Sequence, residues 1–157
     1  MKKLTEKIGR LTLILGVILT VACNKQSMEN NNKVGSYDKN TVLGISAVVS
    51  YDIYAGQSNL AGKLSVWNDN INLYVQYMIT APDTLLDQVH LWVGNDILLV
   101  PQNNSGIPIP GQFPYQAENV NQNTYQFTIP LANILVNSSS YCAQNIYIFA
   151  HAALKSA

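Results

Sequence analysis

Between residues 72 and 79 the side chains alternate without a break. Leu73, Val75, Tyr77 and Ile79 fall on one parity; Asn72, Tyr74, Gln76 and Met78 fall on the other. A period of two places alternate residues on opposite faces of an extended strand, so this stretch pairs an apolar face with a polar one. The alternation recurs over 64–67, and further strands are read over 45–51, 88–93, 97–100, 124–129 and 146–153, with clusters of Gly, Pro and Asn between the runs. No long segment repeats at 3.6 residues; 84–88 and 131–136 each allow at most one helical turn. Short alternating runs punctuated by turn residues predict an all-β fold, a single antiparallel β-sandwich of immunoglobulin-like or jelly-roll-like kind with about 7–8 strands.

The N-terminus has a different character. Lys2, Lys3, Lys7 and Arg10 precede a mostly apolar run from Leu11 to Ala22 that ends at Cys23. The run is shorter than the roughly 20 residues a bilayer-spanning helix needs, and a charged start followed by a short apolar stretch reads as an export signal over 1–22. The exit, Leu19-Thr20-Val21-Ala22-Cys23, resembles the lipobox of bacterial lipoproteins, with Thr20 departing from the usual leucine. The resemblance implies that Cys23 is lipidated and that the membrane is a partner through this anchor. Residues 23–40 are Asn-rich with little apolar surface, which predicts a disordered tether. Asn24 after the cysteine favours the outer membrane of the cell envelope. The folded domain then spans 41–157, enough for one core.

Once the signal is removed the chain has no arginine. Arginine is the side chain best suited to phosphate, so nucleic acid is excluded as an expected partner. Cys142 is the only cysteine after Cys23, and in its setting of Tyr141 and Ala143 it reads as a small buried hydrophobe.

A series in order along the chain carries a second resemblance: Tyr54-Ala55-Gly56-Gln57, Val66-Trp67-Asn68-Asp69, His90-Leu91-Trp92-Val93-Gly94, Pro110-Gly111-Gln112-Phe113-Pro114-Tyr115 and Ala150-His151-Ala152. It is similar to a β-sandwich module that recurs in secreted and surface proteins of bacteria. The resemblance implies the fold and the address, further sequence after Leu154, and no particular activity.

The chemistry-bearing residues are few. The two histidines, His90 and His151, sit in alternating strands beside Trp92 and beside Tyr147 and Phe149. They are weak candidates for a metal with Asp87 or Asp96 as a third ligand, and the expected reading is a hydrogen-bonded structural pair, with no metal and no cofactor. The sequence has neither a Gly-x-Ser-x-Gly elbow nor a His-Glu-x-x-His helix, and its carboxylates mostly sit in turns, so catalysis is not expected. The Asn-Asp turns near Asp69 and Asp96 are equally well explained by turn chemistry as by calcium. Nine tyrosines and two tryptophans on a charge-poor, amide-rich domain suit carbohydrate contact. The expected function is a lipid-anchored surface module for binding or adhesion to carbohydrate or a surface protein. The alternatives are an assembly subunit of a surface complex and, less favoured, a hydrolase with an atypical carboxylate pair. Tyr74 with Asn72 and Gln76, Trp92, and Gln112 and Tyr115 in the proline-rich loop are the candidate ligand contacts. In that loop Phe113 is expected to anchor the chain by closing one end of the core, within a connection from 100 to 124 without regular structure.

Overall fold

The structure, a computed structural model, describes residues 15–20, 48–56, 58–69, 71–134 and 145–157. Cys23, the tether and Cys142 lie outside the described residues. The strands are β1 (Leu15–Thr20), β2 (Val49–Ala55), β3 (Asn59–Asn68), β4 (Asn72–Ile79), β5 (Thr84–Gly94), β6 (Tyr115–Gln122), β7 (Thr124–Pro130) and β8 (Asn145–Ser156), with one short helix, α1 (Leu131–Ile134). Seven of them, β2 to β8, build a sandwich of two antiparallel sheets, ordered β2-β3-β4-β7 and β8-β5-β6. The backbone of β1 lies antiparallel along the outer edge of β8. The strand order does not reproduce the A-B-E-D and G-F-C sheets of immunoglobulin domains.

The alternation that predicts the strands also fills the core. Leu64 and Val66 of β3, Leu73, Val75, Tyr77 and Ile79 of β4, and Ile129 of β7 face Leu86, Val89, Leu91 and Val93 of β5 and Ile146 and Ile148 of β8. Burying each such side chain contributes about 1.5–3 kcal/mol. Tyr77 is buried to its tip, and its hydroxyl donates to the His90 carbonyl at 3.0 Å. That bond ties the two sheets together and satisfies a phenol whose burial pushes its pKa far up.

Three expectations about local structure are corrected. Residues 97–100 are not a strand: Ile97–Leu99 form a 3₁₀ turn, because the Asp96 carboxylate accepts from the Leu98 N–H at 2.9 Å and Pro101 follows. Residues 84–88 are not a helical turn but the start of β5, whose bulge between Leu86 and Gln88 blurs the alternation there. The connection from 100 to 124 contains a strand, β6, paired with β5. Its sequence, Tyr-Gln-Ala-Glu-Asn-Val-Asn-Gln, has weak strand propensity, and Asn119 and Asn121 take the left-handed conformation.

The proline-rich loop does not cap the end of the sandwich. It folds onto the outer face of the β8-β5-β6 sheet. Its first part is a small hairpin, in which Ile109 N–H donates to Pro101 O and Asn103 N–H to Ile107 O, each at 2.9 Å. A second 3₁₀ turn, Pro110–Gln112, then delivers Phe113 into full burial against Trp92 and Val100. Phe113 is an anchor, as expected, but of a second, smaller core on the sheet's outer side.

Candidate functional site

The outer face of the four-stranded sheet is built from the polar parity of its strands. The registers bring Ser50, Ser65, Gln76 and Gln126 into one row across all four strands. The next row holds Trp67, Tyr74 and Thr128. On the other side of the amide row lie Asp52, Lys63, Met78 and Thr124. An aromatic row thus borders a row of uncharged hydroxyls and amides, in steps of about 4.8 Å between strands.

The aromatic pair is held in place. Trp67 and Tyr74 stack with centroids 5.3 Å apart and planes 13° from parallel, both half-buried. The Tyr74 hydroxyl donates to the Asp69 carboxylate at 2.8 Å. The other oxygen of Asp69 accepts the N–H of Asn72 at 2.6 Å and of Ile71 at 2.7 Å. Those two backbone donors first, and the Tyr74 hydroxyl after them, hold the Asp69 carboxyl below its ordinary pKa. The β3–β4 turn therefore orients the tyrosine ring, and the carboxylate is occupied by turn and ring. Ser50 and Ser65 share a hydrogen bond at 2.9 Å, while Gln126 and Thr128 are exposed. Within the three rows the two charged side chains, Asp52 and Lys63, pair at 2.8 Å.

Of the residues singled out by sequence, Tyr74 belongs to this face with Asn72 and Gln76. Trp92 does not offer a platform: it is buried beneath the loop, edge-on to Phe149 at 5.8 Å, its ring lying over Gly94, where a Cβ would come within 2.7 Å of it. Tyr115 does not face outward. Its place opposite Leu91 turns the ring toward the core, 6.3 Å from Phe127, and burial raises its pKa. Gln112 is exposed at the loop's 3₁₀ turn. Trp67, Ser65, Ser50 and Gln126 join the site although sequence reasoning missed them. Parity along β3 puts Lys63, Ser65 and Trp67 on one face, but the register that sets Trp67 beside Tyr74 cannot be read from parity alone.

On the other sheet His90 and His151 are direct cross-strand neighbours. Their Nδ1 atoms lie 3.2 Å apart, the centroids 5.5 Å apart and the planes 8° from parallel. One ring radius on each side plus the N···N contact accounts for the whole centroid separation. The rings therefore meet edge to edge, one Nδ1–H donating to the other Nδ1. A metal held by both would require the rings to turn away from this line. Asp96 caps its turn and Asp87 pairs with Lys155 at 3.1 Å. No group of three potential ligands occurs among the described residues.

Burial lowers the pKa of both imidazoles below 6.5, with the His90 charge a second cause for His151 and Glu118 opposing the shift at His90. The unfolded chain thus binds more protons than the folded one once the pH drops below about 6.5, and stability falls with pH from there. One added proton leaves the N–H···N contact intact; a second breaks it. Urea denaturation is expected to show a loss of stability between pH 7.5 and 5 that disappears in His90→Gln/His151→Gln, whereas an unchanged slope in that variant would assign the loss to other groups.

No family model matches the chain, and neither does any curated protein or solved structure.

Proposed function

We propose that the chain is a lipid-anchored, non-catalytic module of the cell envelope that binds neutral carbohydrate on the outer face of its four-stranded sheet. The observation that supports this most is the pair of adjacent rows, Trp67 and Tyr74 beside Ser50, Ser65, Gln76 and Gln126. Aromatic faces stack on the apolar faces of sugar rings, and amides and hydroxyls exchange hydrogen bonds with sugar hydroxyls in both directions. The preference is for neutral sugars, because Asp52 and Lys63 neutralise each other, the Asp69 carboxylate is taken up by the turn and Tyr74, and no arginine follows the signal. Four of the carboxylates are committed: Asp52 to Lys63, Asp69 to the turn and Tyr74, Asp87 to Lys155 and Asp96 to its cap. That distribution favours binding over hydrolysis.

The anchor follows from the apolar run ending at Cys23, and the tether would carry the sheet face clear of the outer membrane. A glycan array with the processed protein tests the reading. Neutral polysaccharides are expected to bind, and Trp67→Ala is expected to weaken them by about 2 kcal/mol, roughly 30-fold, as for a central aromatic anchor. Binding confined to acidic glycans, or untouched by Trp67→Ala, would contradict it. An assembly subunit is the second reading, favoured by the strand that lies on the edge of β8.

A further inference from the structure

One sheet edge has two claimants. β1 occupies the free side of β8, with Leu15 opposite Ala150 and Thr20 opposite Asn145. If the lipoprotein reading holds, β1 is removed with the export signal, and the processed chain is left with a bare row of backbone donors and acceptors over Asn145–Ala150. Two of the other edges are blunted. β2 carries a bulge at Ile53 and Tyr54 and the Asp52–Lys63 pair, and β6 carries Glu118 with left-handed Asn119 and Asn121. Over 145–150, β8 has no charge, no proline and no bulge on its paired side. Such an edge invites another strand.

We infer that in the processed protein residues 41–46 of the same chain take the place of β1 on β8. The position of that place decides it. With β1 included the sheets read β1-β8-β5-β6 and β2-β3-β4-β7. A single residue links β6 to β7, which sets those two edges on one side of the sandwich, so the β1 position faces β2 on the other. β4 passes to β5 through a short connection, so the start of β4 and the end of β5 lie at one end of the sandwich. Val49, opposite Val66, and Asn145, beside the end of β5, lie at that same end. A strand descending antiparallel on β8 to Asn145 would finish directly across from the start of β2. Sheets pack about 10 Å apart, and the three residue steps from Ser46 to Val49 reach about 10 Å.

The side chains suit the exchange. In the register of β1, Thr41, Leu43 and Ile45 stand opposite Ala150, Ile148 and Ile146, all buried, while Val42, Gly44 and Ser46 share the outward parity. The edge is thus closed within one chain, and the module stays a monomer. This rests on the lipoprotein reading, since the processing that the reading supplies vacates the edge.

The test uses the protein purified from envelopes in detergent, with its mass measured first. Hydrogen exchange is then followed at the β8 amides of 145–150 that point away from β5. In the processed protein they are expected to be protected, and in Leu43→Asp/Ile45→Asp their protection is expected to fall at least about tenfold while the β5–β6 amides keep theirs. Unprotected amides in the processed wild type overturn the inference, as does protection that survives the double substitution. Protection accompanied by a concentration-dependent dimer overturns it too, because a second copy then fills the edge. A mass that still includes residues 1–22 overturns the processing premise, and the inference with it. The other failures leave the premise standing.

Discussion

Replacing Phe113 by alanine is expected to cost about 3 kcal/mol of stability, near the lower end of what removing a buried aromatic ring costs. The ring is fully buried, yet no regular element carries it there. It is delivered by the 3₁₀ turn at Pro110–Gln112 and fixed by two hydrogen bonds from the Gln116 amide, to the Phe113 carbonyl at 2.6 Å and the Gly111 carbonyl at 3.2 Å. Without the ring, Trp92 and Val100 lose their cover and the loop loses its one fully buried residue. Urea denaturation measures the loss, and limited proteolysis should find new cleavage between 97 and 112. Gln112→Ala, one residue away and exposed, should leave the melting temperature unchanged. Equal stability of Phe113→Ala and wild type would mean that the small outer core does not hold the loop.

Gly62→Ala is expected to be at least as damaging. A Cβ at Gly62 would lie 2.1 Å from the Met78 carbonyl oxygen and 2.8 Å from the Ile79 Cα, and both are backbone atoms of the neighbouring strand. A side chain could rotate away, whereas β4 could move only by breaking its ladder with β3 or with β7. Overpacking of this kind costs about 3 kcal/mol, the upper end of the usual range. Gly111 is the control, because a Cβ there meets nothing within 4 Å. Thermal melts should show Gly111→Ala close to wild type and Gly62→Ala melting far below it. If the two variants melt together, the close approach of β3 and β4 is misplaced.

The contrast between these glycines shows what could be read from sequence and what could not. The faces of β4 are visible in the order of its residues, because a period of two assigns each side chain to core or solvent without reference to any other strand. The anchoring of Phe113 is visible for a similar reason: a large ring in a stiff, proline-bound loop has few ways to leave water. The strand at Tyr115–Gln122 escapes notice because it is held by its ladder with β5 and not by its own propensities. The burial of Trp92 and the inward turn of Tyr115 escape notice for a related reason. Sequence says that each belongs to an alternating or ring-rich stretch, but whether its face is covered depends on where a distant segment lies. The Trp67–Tyr74 row depends on register across the β3–β4 turn, and register is set by the Asp69 hydrogen bonds and the pairing of whole strands. The same holds for the meeting of His90 and His151, which are 61 residues apart in the chain.

Carbohydrate binding on the Trp67–Tyr74 face is tested most directly by the fluorescence of one tryptophan. The chain has two, and Trp92 is buried on the opposite sheet. In Trp92→Phe the emission comes from Trp67 alone, and titrating the processed protein with neutral oligosaccharides reports on that face. The predicted result is a saturable change in Trp67 emission, with a weaker apparent affinity once Gln76 and Gln126 are replaced by alanine, as expected where an aromatic row and an amide row hold the same sugar. Saturable binding measured by calorimetry that leaves the Trp67 emission unchanged, or no binding to any neutral oligosaccharide, would contradict it.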